Sequence, residues 1–210
     1  MVMNEDIKAM VEAGKTKVVP GLVQQALDEG NDPKGILEAM IEAMNTIGSK
    51  FSAGEIFVPE MLIAARAMQK GVDVLKPHLK GESTSSLGTC IIGTVAGDLH
   101  DIGKNLVAMM IESAGFRIVD LGIDVSTEKF INAIQENENV TLVACSGLLT
   151  TTMPAMKETV QAIKGSGLTG FKVIVGGAPI SPLFAAEIGA DGYAADAGSA
   201  AVKAVELVRA

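Results

Sequence analysis

The sequence predicts two unlike parts, a four-helix bundle followed by a doubly wound, parallel five-stranded sheet with helices on both faces. Three observations carry this. Residues 1–78 place apolar side chains at helical spacing almost throughout, the stretch LKGESTSS at 79–86 is polar and without period, and beyond 88 short apolar runs alternate with helical stretches. These boundaries give a helical domain over 1–78, an exposed linker over 79–87 and an α/β domain over 88–210.

The bundle opens with a short stripe at Ile7, Met10 and Val11 and continues through Val18, Val19, Leu22, Val23, Ala26 and Leu27, so two helices precede Gly30. Asp32 then offers a side-chain acceptor just ahead of Pro33, and Ile36, Leu37, Met40, Ile41, Met44 and Ile47 recur at three and four, the clearest helix in the chain. After a turn at Gly54, the residues Val58, Met61, Leu62, Ala65, Met68, Val72 and Leu75 form a fourth apolar face, with Pro59 tolerated in the first turn. Strands are expected at 88–95, 116–121, 140–145, 171–175 and, more weakly, near Tyr193. Helices fit at about 104–113, 126–135, 153–164, 182–188 and 199–208. Buried on both faces, parallel strands read as continuous apolar runs, as these do.

With 210 residues and 48% apolar content, the chain can build a sizeable core. Seventeen Lys and Arg stand against 25 Asp and Glu, a net charge of −8, so there is no overall basic field and nucleic acid is not an expected partner. No apolar run reaches the roughly 18 residues of a membrane span. The N-terminal residues lack a basic region followed by a hydrophobic one, which implies a cytoplasmic protein with no membrane partner. Cys90 and Cys145 lie inside apolar runs, as small core residues of a reducing compartment and not as a disulfide.

Ligands of an open parallel sheet bind beyond the carboxyl ends of its strands, and three unusual segments lie there. Ala96-Gly97-Asp98-Leu99-His100-Asp101-Ile102-Gly103 follows the first run, Ser146-Gly147-Leu148-Leu149-Thr150-Thr151-Thr152 the third, and Gly176-Gly177-Ala178-Pro179 the fourth. Two residues before His100, the Asp98 carboxylate is placed to accept from one ring nitrogen and leave the other facing outward as a metal ligand or base. Taken singly, each feature also has a plainer reading. His100 fits a surface or capping histidine, the glycines fit strand-to-helix turns, and Ser146 and the threonines fit N-caps.

Together, Asp98-x-His100-x-x-Gly103, Ser146-x-Leu148 and Gly176-Gly177 resemble the cobalamin-binding fingerprint, at intervals close to that family's usual spacing. The segments Met44-Asn45-Thr46-Ile47-Gly48-Ser49-Lys50-Phe51 and Phe57-Val58-Pro59 resemble the helical cap module of cobalamin-dependent methionine synthase. A bundle plus a corrinoid domain with no further domains is similar to the corrinoid proteins of methylamine, methanol, betaine and methoxyarene methyltransferase systems.

The resemblance implies a flavodoxin-like (Rossmann-like) sheet domain that binds cobalamin or a related corrinoid, with its cobalt. It implies that His100 replaces the cofactor's own lower base on cobalt, that Asp98 orients it, and that Thr152 continues the relay where methionine synthase has Ser. Leu99, Asp101 and Leu148 flank these residues in the same fingerprint. Small residues lining a channel for the displaced nucleotide tail would be Gly93, Gly103, Ser146, Gly176 and Gly177, and valine at Gly176 or Gly177 should block the tail while the sheet still folds. Thr150 and Ala197 would touch the tail or the corrin edge. Phe51, Val58 and Met61 would form an apolar lid, although a Phe and a Met on helix faces equally suit a bundle core. His78, at the end of the last bundle helix, has no assigned role.

The implied function is a methyl carrier with no catalytic residues of its own. A substrate-specific methyltransferase would load cob(I)alamin, a second would unload methylcob(III)alamin to tetrahydrofolate or coenzyme M, and a corrinoid reductive activase would serve as a third partner. The alternatives are a corrinoid subunit of a carbon-skeleton mutase, against which the bundle argues, and a cobalamin-responsive regulator, for which no basic recognition helix is present. A flavodoxin-like domain without metal does not explain the triple match.

Overall fold

Apolar periodicity in the first part becomes four helices, α1 (Val2–Glu12), α2 (Val19–Asp28), α3 (Pro33–Ser52) and α4 (Val58–Leu75). The structure, a computed structural model, describes residues 2–78 and 87–209, so the expected linker at 79–86 lies outside the described residues. The chain divides into two compact units, one carrying these helices and the other the sheet.

Within the helical unit, Asp32 caps α3 by accepting from the Gly35 amide at 3.2 Å, and Pro33 occupies the first turn, where its missing N–H has no partner to lose. The buried face of α3 is Ile36, Leu37, Met40, Ile41, Ala43, Met44, Ile47 and Gly48, the stripe expected from spacing. At the start of α4 the Glu60 carboxylate returns to the Phe57 amide at 2.7 Å, satisfying a donor that the helix leaves open. Gly71 lets α4 approach its neighbours, since a Cβ there would stand 2.6 Å from Met40 Sδ and 3.0 Å from Val19 Cγ1. Helix α4 stops at Leu75, and His78 ends a separate 3-10 turn, Lys76–His78. Pro77 explains the break, because it has no N–H to donate back along the helix.

The second unit alternates β1 (Thr89–Thr94), α5 (Ile102–Ser113), β2 (Arg117–Asp120), α6 (Thr127–Glu136), β3 (Val140–Ser146), α7 (Met153–Gly165), β4 (Lys172–Gly176), α8 (Pro182–Glu187), β5 (Gly192–Ala194) and α9 (Ala197–Arg209). All five strands are parallel, in the order β2-β1-β3-β4-β5. The chain steps from β1 to β2 on one side and then crosses back to place β3 on the other. That reversal opens a crevice beyond the carboxyl ends of β1 and β3, where ligands of such sheets sit. Every residue of β1 is buried, and Ile91 pairs with Val119 on one side and Val143 on the other. Phe130 of α6 fills the core beneath this strand.

That packing bears on one expectation. Gly93, expected to line a tail channel, is small for a reason inside the protein, because a Cβ there would meet Phe130 Cζ at 2.9 Å and Val125 Cγ2 at 3.1 Å. Cys90 and Cys145 are free and buried, and burial pushes the Cys90 thiol up and that of Cys145 to about 12. Among the described residues no helix is long and apolar enough to cross a membrane.

Candidate functional site at the sheet's carboxyl edge

Asp98 is the centre of the site. It follows β1, is fully buried, and spends both carboxylate oxygens on the loops around it. Oδ1 accepts from the His100 amide at 3.1 Å and from His100 Nδ1 at 2.9 Å. Oδ2 accepts from the amides of Leu148 at 2.6 Å and Leu149 at 3.3 Å and from the Thr152 hydroxyl at 3.0 Å. Burial pushes this carboxyl up, but the Leu148 and His100 amides, the His100 ring and the Thr152 hydroxyl outweigh it and hold the acid at about 2. Asp98 is therefore ionised, so Nδ1 of a neutral His100 carries the ring proton and Nε2 keeps its lone pair. The imidazole is about half exposed, with that lone pair directed away from the carboxylate.

Other backbone bonds hold the same loop. Thr94, the buried last residue of β1, donates its hydroxyl to the His100 carbonyl at 2.8 Å. Asp124, in the loop after β2, accepts from the Gly97 amide at 2.7 Å and donates its own amide to the Asp98 carbonyl at 3.0 Å, with a φ of +50°. Lys104, in the first turn of α5, is buried and pairs with Asp120 at the end of β2 and with the Asn105 side chain at 2.7 Å. Sequence reasoning missed these three. A polar residue closing an otherwise apolar strand and a lysine in a first helical turn were the available signals.

The expected residues fall into groups. Asp98, His100, Leu148 and Thr152 are brought together, and Thr152 bonds to Asp98 although no side-chain cap bond joins it to α7. Ser146 is the last residue of β3 and so is not a cap for the following helix; Thr150 opens the single 3-10 turn before α7. Asp101 is exposed and accepts from Asn105 at 3.4 Å, and Gly103 has nothing within 4 Å of where a Cβ would stand. Ala197 is buried at the start of α9. Phe51 and Val58 are half-buried in the helical unit, whereas Met61 is fully enclosed there and offers no surface.

Gly176 and Gly177 are also hemmed in by the protein itself. A Cβ on Gly177, whose φ is +132°, would stand 1.8 Å from the Gly147 carbonyl oxygen, and one on Gly176 would stand 2.8 Å from that of Ala194. Both contacts are to backbone, so valine at either position breaks the sheet edge itself and cannot isolate an effect on a ligand.

Large apolar side chains are open at this edge. Leu99, Ile123, Leu148 and Leu149 on its loops and Ile102 at the start of α5 are all exposed, the most open being Ile102 at 78%. Among the described residues there is no group of three side chains able to hold a metal ion, so His100 stands as a lone donor. A single outward imidazole amid open, apolar loops would supply one protein ligand to a metal that arrives in its own organic chelate. Fold and site define a parallel-sheet protein that presents one outward imidazole at its ligand-binding crevice.

Comparison with known proteins makes that specific. Residues 88–205 match the family described as B12 binding domain, and residues 3–76 match a second family of the same description. The sequence is 39% identical over 207 residues to dimethylamine corrinoid protein 1 of Methanosarcina acetivorans, covering 97% of this chain and 96% of that one. The structure is similar to a cobalamin-binding protein from Desulfitobacterium hafniense, with TM-score 0.83 and 30% identity over 98% of each chain. It is also similar to a chain of the methanol:cobalamin methyltransferase complex of Methanosarcina barkeri, with TM-score 0.81, 28% identity, and 99% and 80% of the two chains covered. The chain belongs to the B12-binding family, among the corrinoid proteins of methyltransferase systems. Its cofactor is a corrinoid.

Proposed function

We propose that the chain carries a methyl group on a corrinoid held at the carboxyl edge of its sheet, with His100 Nε2 as the protein's ligand to cobalt. The observation that carries this is the divided histidine, one ring nitrogen bound to an ionised, buried Asp98 and the other free at the switch point of the sheet. When bound, the corrinoid supplies a cobalt centre that accepts and releases methyl groups. The protein's own residues hold and shield. Asp98 fixes the ring and its tautomer, and the Leu148 and His100 amides with the Thr152 hydroxyl keep Asp98 charged. The exposed apolar side chains of Leu99, Ile102, Ile123, Leu148 and Leu149 offer a bound corrinoid apolar contact in place of water. Gly103 leaves open space, and Ser146, Thr150, Gly176, Gly177 and Ala197 are the small residues available along a nucleotide tail.

A substrate-specific methyltransferase loads the methyl group, as expected of a chain whose relatives are named as corrinoid proteins of methylamine systems. A second methyltransferase, acting on tetrahydrofolate or coenzyme M, removes it, and a reductive activase restores the carrier after oxidation. No donor or acceptor pocket is assigned to this chain, and positioning those reactants falls to the partners. The helical unit, with a family match of its own, favours this reading over a mutase subunit.

The test is reconstitution of the full chain with hydroxocobalamin. One corrinoid per chain should bind, and paramagnetic resonance of the Co(II) form should show nitrogen coupling that changes when histidine carries nitrogen-15. A methyl group placed on the bound corrinoid should leave only when a partner methyltransferase is added. Coupling insensitive to the label overturns the ligand assignment, and unaided transfer overturns the carrier.

A further inference from the structure

We infer that Thr94 and Asp124 are positioning residues for His100, an inference that rests on His100 as the axial ligand. Asp98 fixes where the ring points, but it does not fix where the backbone bearing the ring stands. Between the end of β1 and the start of α5 that backbone has few regular ladder partners, and an axial bond requires the nitrogen at one place to within a few tenths of an ångström.

Thr94 supplies one anchor. Its main chain is fixed by bonds in both directions, its amide donating to Gly122 at 3.0 Å and its carbonyl accepting from Val125 at 2.9 Å. A β-branched residue so held has little rotameric freedom. Its hydroxyl is thereby aimed at the His100 carbonyl, the 2.8 Å bond, and it is fully buried. Asp124 supplies the other. Its side chain takes the Gly97 amide and its amide takes the Asp98 carbonyl, so one residue grips the loop on either side of the Gly97–Asp98 peptide. It does so in the left-handed region at φ +50°, a conformation that persists in a non-glycine residue when its surroundings enforce it. The β1 end and the loop after β2 thus clamp the histidine loop from two sides, through contacts that leave the ring untouched.

The experiment uses the full chain reconstituted with hydroxocobalamin and reduced to Co(II), reading the fraction of cobalt coupled to labelled histidine nitrogen. Thr94→Val keeps shape and removes the hydroxyl, and should lower the ratio of coupled to uncoupled cobalt about fivefold, the effect of one net hydrogen bond on an equilibrium. Thr94→Ser keeps the hydroxyl and should restore it. Asp124→Ala should act as Thr94→Val does, whereas Asp124→Asn retains an acceptor and tolerates the left-handed conformation, and should bind as wild type. In the apo protein, amide relaxation of Leu99 and His100 should report a looser loop in Thr94→Val with the strand amides unchanged. Should Thr94→Val fail to fold, the Asp124 pair decides alone. Wild-type coupling in both Thr94→Val and Asp124→Ala overturns the clamp, as does equal loss in Thr94→Ser and Thr94→Val. Absence of histidine coupling in the wild type overturns the ligand reading first, and the clamp with it.

Discussion

Two glycine-bearing loops share one edge of the sheet, and they use their glycines in opposite ways. Where the loop after β1 runs into α5, Gly103 faces open space. In the loop after β4, the place of a Gly177 Cβ is already taken by the Gly147 carbonyl. One glycine leaves room for something that is not protein, the other for the protein itself. A fingerprint reads both as the same letter, and only the neighbour across the gap separates them.

The sharpest way to break this contrast is Gly177→Val. With backbone 1.8 Å from the new Cβ and a positive φ, the substitution should cost more than about 4 kcal/mol and leave the sheet unit unfolded by circular dichroism. A folded variant that merely loses corrinoid would support the channel reading for this loop. Next in size, Asp98→Asn places an NH2 group among amide and ring donors and should lower stability by about 2 to 3 kcal/mol in urea unfolding of the apo protein. A smaller loss would mean that the loops do not depend on this carboxylate.

His100→Ala removes one bond from a half-exposed ring, so apo stability should fall by about 1 kcal/mol or less while the labelled nitrogen coupling disappears. A large loss of stability would make the histidine a structural residue. Smallest, Gly103→Ala should raise the apo melting point slightly, since alanine in a helix is favoured over glycine by about 0.5 to 1 kcal/mol. Corrinoid occupancy should fall in the same variant. Unchanged occupancy would show that the open space beside α5 goes unused.

Much of the architecture is legible in the amino-acid sequence because it follows from local pattern. The stripe from Ile36 to Ile47 and the runs at β1 and β3 need only periodicity and burial. The Asp98–His100 contact is equally readable, since two residues separate its partners by little. Other features depend on contacts between distant parts of the chain. Gly93 is small because of Phe130, Gly177 because of Gly147, and the Thr94 hydroxyl acquires a task only once the loop folds back over the strand end. Asp124 is harder still, because its grip is partly main-chain and would leave little trace beyond its left-handed φ.

The two cysteines, described above only as core residues, bear on what such a carrier must avoid. A cobalt-bound methyl group is an electrophile offered to thiolates, and a protein that holds one has to keep its own sulfur out of the reaction. Cys90 and Cys145 are enclosed in β1 and β3, with burial holding both thiols protonated. Enclosed in the strands in this way, neither sulfur is available as the exposed thiolate that a methyl group on cobalt would alkylate.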